Sequence, residues 1–128
     1  MKTRYYFLTA LYCAAIFYLS SRSEPVPDNY RFKGLDKVAH VLVYGGLAAL
    51  VSTGLRRSGR PVRPSVQALA PLAFAVFYGF TDEIHQYFVP LRSFDPLDLL
   101  ANTGGAFLAQ AVLCRWWGIF RPTQDRAP

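Results

Sequence analysis

Four long apolar runs leave this chain few ways to fold. Tyr5 to Ser21 is uncharged between Arg4 and Arg22, and Val38 to Leu55 holds His40 as its one group that titrates near neutral pH. Val66 to Thr81 reads as continuing in helix through Gln86, and Leu97 to Trp117 is interrupted by Asp98 and Arg115. A helix rises about 1.5 Å per residue, so roughly 17–25 residues cross a hydrocarbon core of about 30 Å. No strand-like alternation and no internal repeat competes with that reading. The pattern predicts an all-α polytopic membrane protein. Its fold is a bundle of four transmembrane helices at about 5–21, 38–55, 66–86 and 97–117, in one domain spanning 1–128. Residues 118–128 read as a flexible tail.

Turn chemistry separates the runs. Pro25 and Pro27 stop a helix after the first, and Gly59, Pro61 and Pro64 break the chain between the second and third. Pro90 and Pro96 bracket the last turn. Proline lacks the backbone donor and clashes with the preceding helical turn. Pro71 lies inside the third run, where it marks either a kink or a first turn. Only 17% of residues are charged, against roughly 25% in soluble domains. Cys13 and Cys114 lie inside apolar runs without metal or redox spacing, and read as small buried residues rather than a disulfide.

The net charge of +6 raises nucleic acid as a partner, but its placement argues against one. Arg56, Arg57, Arg60 and Arg63 form a short basic loop between two apolar runs, with no aromatic residues interleaved for base stacking. With four spans, both termini and this loop share one side. That side holds 9 basic residues: Lys2, Arg4, Arg56, Arg57, Arg60, Arg63, Arg115, Arg121 and Arg126. The other holds 5: Arg22, Arg31, Lys33, Lys37 and Arg92. The positive-inside rule therefore puts both termini in the cytoplasm. Met1 to Ser21 has a second reading as a signal peptide, although it is long for one and lacks an Ala-x-Ala cleavage site.

Polar residues gather where an apolar span should exclude them. An ionisable group at membrane depth costs about 2.5–3.5 kcal/mol on insertion scales, so it usually serves function or specific packing. Asp36, His40 and Tyr44 share one helix face at spacing i, i+4, i+8. Asp82, His85, Gln86 and Val89 share another, with Glu83 beside it, and Asp98, Asn102 and Gly105 repeat the pattern on the last helix. All three faces fall at the same, extracytoplasmic, end. Arg92, in the turn between two of the helices, is placed to pair with these carboxylates.

Plainer roles exist for several of these residues. Asp36 suits a helix N-cap, Asp98 suits a helix N-terminus, and Asn102 with Gly104 and Gly105 suits close helix packing. The run of Asp82, Glu83, His85 and Gln86 exceeds what capping requires. His85 with Asp82 or Glu83 fits a general acid–base pair, and these three are the catalytic candidates. Asp36, His40, Tyr44, Gln86, Arg92, Asp98 and Asn102 are the binding candidates. His40 and His85 with Asp36, Asp82, Glu83 or Asp98 are also the donor types of a divalent metal, but no HExxH or cysteine cluster singles out a ligand set. No metal and no cofactor is assigned.

Asp36-Lys37-Val38-Ala39-His40 with Tyr44, Thr81-Asp82-Glu83-Ile84-His85-Gln86, Val89-Pro90-Leu91-Arg92 and Asp98-Leu99-Leu100-Ala101-Asn102-Thr103-Gly104-Gly105 closely resemble the VanZ-like family, over roughly residues 5–117. Where that family carries a glycine after the proline, this chain has Leu91, so a tighter or differently shaped turn is expected. The resemblance implies a multi-pass protein of the bacterial cytoplasmic membrane, associated with glycopeptide (teicoplanin) resistance and without an established activity. Phosphotransbutyrylase chemistry, a label sometimes attached to such proteins, finds no glycine-rich nucleotide or acyl-CoA motif here. The expected partners are membrane lipids, a lipid-linked envelope precursor or a glycopeptide, and no nucleic acid. Three functions remain open at this point: a headgroup-binding site, a packing cluster without chemistry, and an enzyme acting on a lipid-linked substrate. Ion or proton translocation is disfavoured, because the cytoplasmic halves of the helices hold almost no ionisable groups.

Overall fold

The computed structural model describes residues 2–23 and 34–120. Among them are four helices and no strand: α1 (Thr3–Ser20), α2 (Leu35–Arg56), α3 (Pro64–Tyr87) and α4 (Pro96–Trp116). Helices are the natural outcome for apolar runs, because each satisfies its own backbone donors and acceptors within the segment. The expected turn after the first run and the tail from residue 121 lie outside the described residues.

Local chemistry sets the ends. Pro64 and Pro96 occupy first-turn positions, where the missing N–H is not needed. Asp95 caps α4, its carboxylate accepting from the Leu97 N–H at 2.8 Å. Gly34, at φ 103°, precedes α2, so Asp36 lies in the first turn of the helix rather than at its N-cap. Leu91 takes φ 64°, the left-handed conformation that glycine adopts freely. The turn therefore keeps a glycine-like backbone although it carries leucine.

The chain runs up and down, so α2 and α4 are parallel to each other and antiparallel to α1 and α3. At one end Gln67 of α3 bonds Ser52 of α2, and the Arg56 guanidinium lies 4.9 Å from the centre of the Trp117 ring. At the other end the starts of α2 and α4 meet the close of α3. α1 follows α2 and α3 along its whole length. Arg57 bonds the Tyr5 hydroxyl, Tyr12 the Val43 carbonyl, Tyr78 the Cys13 carbonyl, and Ser21 meets His85.

The bundle is apolar outside, and its interior holds buried polar groups beside an apolar core of Leu47, Ala48, Ala75 and Ala106. Phe7, Leu42, Phe77, Leu100 and Phe107 are exposed, while Ser52, Gln67, Asp82, Glu83, Gln86, Asn102 and Gln110 are buried. Water-soluble folds rarely expose so broad an apolar surface, so this arrangement suits a lipid surround. α2, α3 and α4 are long and apolar enough to cross a membrane. α1 is shorter and carries Arg4 with four tyrosines. Cys13 and Cys114 are free and half-buried.

Pro71 lies inside α3 and is buried. Its missing N–H leaves the Gln67 carbonyl without the usual helix bond. Gln110 of α4 fills that place, donating to the Gln67 oxygen at 2.7 Å, while Gln67 donates from its own amide to the Ser52 carbonyl at 2.9 Å. Gln110→Leu is expected to cost about 1–3 kcal/mol by leaving that carbonyl unpaired. In a Pro71→Ala background, where the helix bond can form, the cost should fall by more than half. Thermal unfolding of the four chains in one detergent checks this.

Candidate functional site

Polar side chains from α2, α3, α4 and the turn before α4 meet at one end of the bundle, and burial deepens from its rim inward. Asp36 is exposed, and beside it Lys37 reaches across from α2. The Lys37 ammonium bonds Asp95 Oδ2 at 2.6 Å, lies 3.3 Å from Asp36 Oδ2, and makes a short contact with Asp98 Oδ1. The lysine beside Asp95 holds that carboxyl below the usual carboxylate range.

One turn further in, His40 stands between Asp98 and Asn102. Its Nε2 lies 3.7 Å from Asp98 Oδ2, and its Nδ1 lies 2.8 Å from Asn102 Oδ1. An amide oxygen only accepts, so Nδ1 carries the hydrogen. The Asp95 backbone N–H donates to Glu83 Oε2 at 3.1 Å, which ties the turn before α4 to α3. Deeper still, the Tyr44 hydroxyl and the Gln86 amide both donate to Asp82 Oδ2, at 2.9 and 3.1 Å. Glu83 and Asn102 are fully buried, and Glu83 Oε1 and Asn102 Nδ2 have no hydrogen-bond partner among the described residues.

Glycine permits this convergence. A Cβ at Gly79 would stand 3.1 Å from both Asn102 Nδ2 and the Tyr44 ring, and one at Gly105 would enter the backbone of Val41. Small residues let membrane helices approach closely enough for their polar groups to meet.

The structure thus gathers Asp36, His40, Tyr44, Asp82, Glu83, Gln86, Asp98 and Asn102 into one cluster. Two expected members lie apart from it. His85 turns toward α1, its ring stacked on Phe17 at 4.3 Å and its Nε2 2.9 Å from Ser21 Oγ. It sits on the flank of α3 opposite Glu83, so the histidine that faces a carboxylate is His40. Arg92 is exposed and donates from Nε to the Arg22 carbonyl at 3.3 Å. The ion pairs with Asp95 and Asp98 come from Lys37 instead.

Lys37 and Asp95 were missed as site residues because each counted only as a charge on one side of the membrane. A signal for Lys37 did exist: it stands one residue from Asp36 and three from His40, at the head of an apolar run. Chemically the cluster offers carboxylates, an imidazole of fixed tautomer and a lysine, which suit a polar headgroup, a proton or a cation.

A family model described as VanZ/LLP1 matches residues 3–120. No curated protein and no solved structure matches the chain.

Proposed function

The chain belongs to the VanZ/LLP1 family, and from that premise we propose that it is a multi-pass protein of the bacterial cytoplasmic membrane whose polar cluster engages the headgroup of an envelope lipid. The observation that carries this reading is the graded burial of the cluster. Charged groups stand at its rim, fully buried Glu83 and Asn102 lie beneath, and lipid-suited apolar side chains surround it. A headgroup can meet the rim while its acyl chains rest on the exposed apolar faces. In this reading α1 is a fourth span. It packs along α2 and α3, and with four spans the positive-inside rule assigns both termini and the arginine-rich loop to the cytoplasm and the cluster to the outside. A link to glycopeptide resistance fits the same reading, since such antibiotics act on lipid-linked precursors at that surface.

Asp36 is the clean probe, because it stands exposed at the rim of the cluster. Native mass spectrometry should detect retained lipid on the wild type, with exchange against an anionic phospholipid, an aminophospholipid and a polyprenyl phosphate revealing the preferred class. Asp36→Ala is expected to reduce retention at unchanged melting temperature. Unchanged retention, or retention that falls only with melting temperature, favours a cluster that serves helix packing alone. That second reading has its own support in the Tyr44–Asp82 bond, which joins α2 to α3, and in the Gln86–Asp82 bond that holds the carboxylate in place.

A further inference from the structure

We infer that His40, Glu83 and Asp98 form a binding site for a divalent transition-metal ion, an assignment that does not depend on any headgroup. Each residue offers one donor atom, and the three atoms lie within 4.8 Å of one another. The remaining bonds of these residues show which atoms are uncommitted. Lys37 takes Asp98 Oδ1, leaving Oδ2 on the side of His40. Asp95 N–H takes Glu83 Oε2, leaving Oε1 buried and without a hydrogen-bond partner among the described residues. Asn102 Oδ1 takes the His40 Nδ1 hydrogen, leaving the Nε2 lone pair. A hydrogen bond from the second ring nitrogen is how proteins fix the ligating tautomer of histidine.

Charge points the same way. Lys37 is already shared among Asp36, Asp95 and Asp98, and Glu83 is fully buried. A buried carboxylate without a partner is costly, and a divalent cation between Glu83 and Asp98 offsets that cost. One imidazole with two carboxylates suits zinc, manganese or ferrous iron better than magnesium or calcium, which favour all-oxygen shells. Donors of a tetrahedral zinc shell stand about 3–3.5 Å apart at bond lengths of about 2.0–2.2 Å, so side-chain movements on the order of 1 Å close the site. Three protein ligands leave a further position for water or another oxygen donor.

The test uses the full chain carrying a histidine-free affinity tag, stripped with chelator and then equilibrated with zinc chloride or manganese chloride. Elemental analysis should find one ion per chain, and the bound ion should raise the melting temperature until chelator removes it. His40→Gln, Glu83→Gln and Asp98→Asn should each lower retained metal by at least about tenfold, the scale found even for partners that only orient a ligand. His85→Gln should leave it unchanged. Absence of both retained ion and thermal shift in the wild type, for both metals, overturns the inference without recourse to any variant. Retention that survives all three substitutions, or that is lost with His85→Gln, overturns it as well.

Discussion

Gly105→Ala is expected to collapse the bundle in detergent, while Gly104→Ala, one residue away, leaves it intact. A methyl at Gly105 would meet the carbonyl oxygen and Cα of Val41, which are backbone atoms with no rotamer to give way. A methyl at Gly45 would press on the Gly105 carbonyl at 3.1 Å, so the two helices touch along bare backbone. Extra methylenes in a packed core cost about 1–3 kcal/mol, and contact with backbone puts this case at the top of that range or beyond. His40 and Asn102 lie about one turn away and would separate with the helices. At Gly104 nothing stands within 4 Å of an added Cβ. Alanine there gains up to about 1 kcal/mol of helix propensity. Size-exclusion profiles and thermal unfolding should show an aggregated or strongly destabilised Gly105→Ala chain beside a Gly104→Ala chain at or above wild-type stability.

Lys37→Met should destabilise the protein and reverse the effect of a second substitution. Removing one partner of a fully buried ion pair costs about 3–5 kcal/mol. With the Lys37 side chain 29% exposed, about 2–3 kcal/mol is expected. Asp98→Asn alone should lower stability by removing a partner of Lys37. In the Lys37→Met chain it should raise stability by removing an unpaired, largely buried charge, a sign change that a double-mutant cycle detects. Measurements in chelator keep any bound ion from masking it. The acid limb should change as well. Asp95 is held below its unfolded value of about 3.9, so its contribution is complete above that pH and is lost as pH falls through the lower folded value. Without Lys37 the folded and unfolded values draw together, so that loss should shrink and the acid limb flatten.

The helices were legible because span-length apolar runs leave little else for a chain to do. Their polar faces were legible too, since periodicity of 3.6 puts Asp36, His40 and Tyr44 in line. Rotation about α3 was not. Asp82 and Gln86 face inward as the spacing suggests, but the flanks hold different neighbours, so Glu83 is sealed in and His85 turns to α1. Only packing decides which flank meets which helix. Lys37 was hidden by being counted as a topological charge, although its long side chain reaches carboxylates about 60 positions away in sequence. The Gln67–Ser52–Gln110 group was hidden for another reason. Its role follows from a carbonyl freed by Pro71, and a backbone vacancy leaves no residue-type signature.

The headgroup reading of the cluster turns on which side of the membrane it opens to. The most direct measurement is labelling of single cysteines with a membrane-impermeant maleimide in intact cells, after Cys13 and Cys114 are replaced by serine. Ser93→Cys, in the exposed turn between α3 and α4, should label in intact cells. Arg60→Cys, in the loop between α2 and α3, should label only after permeabilisation. The opposite pattern would place the cluster on the cytoplasmic side and contradict the proposal that it meets an envelope headgroup.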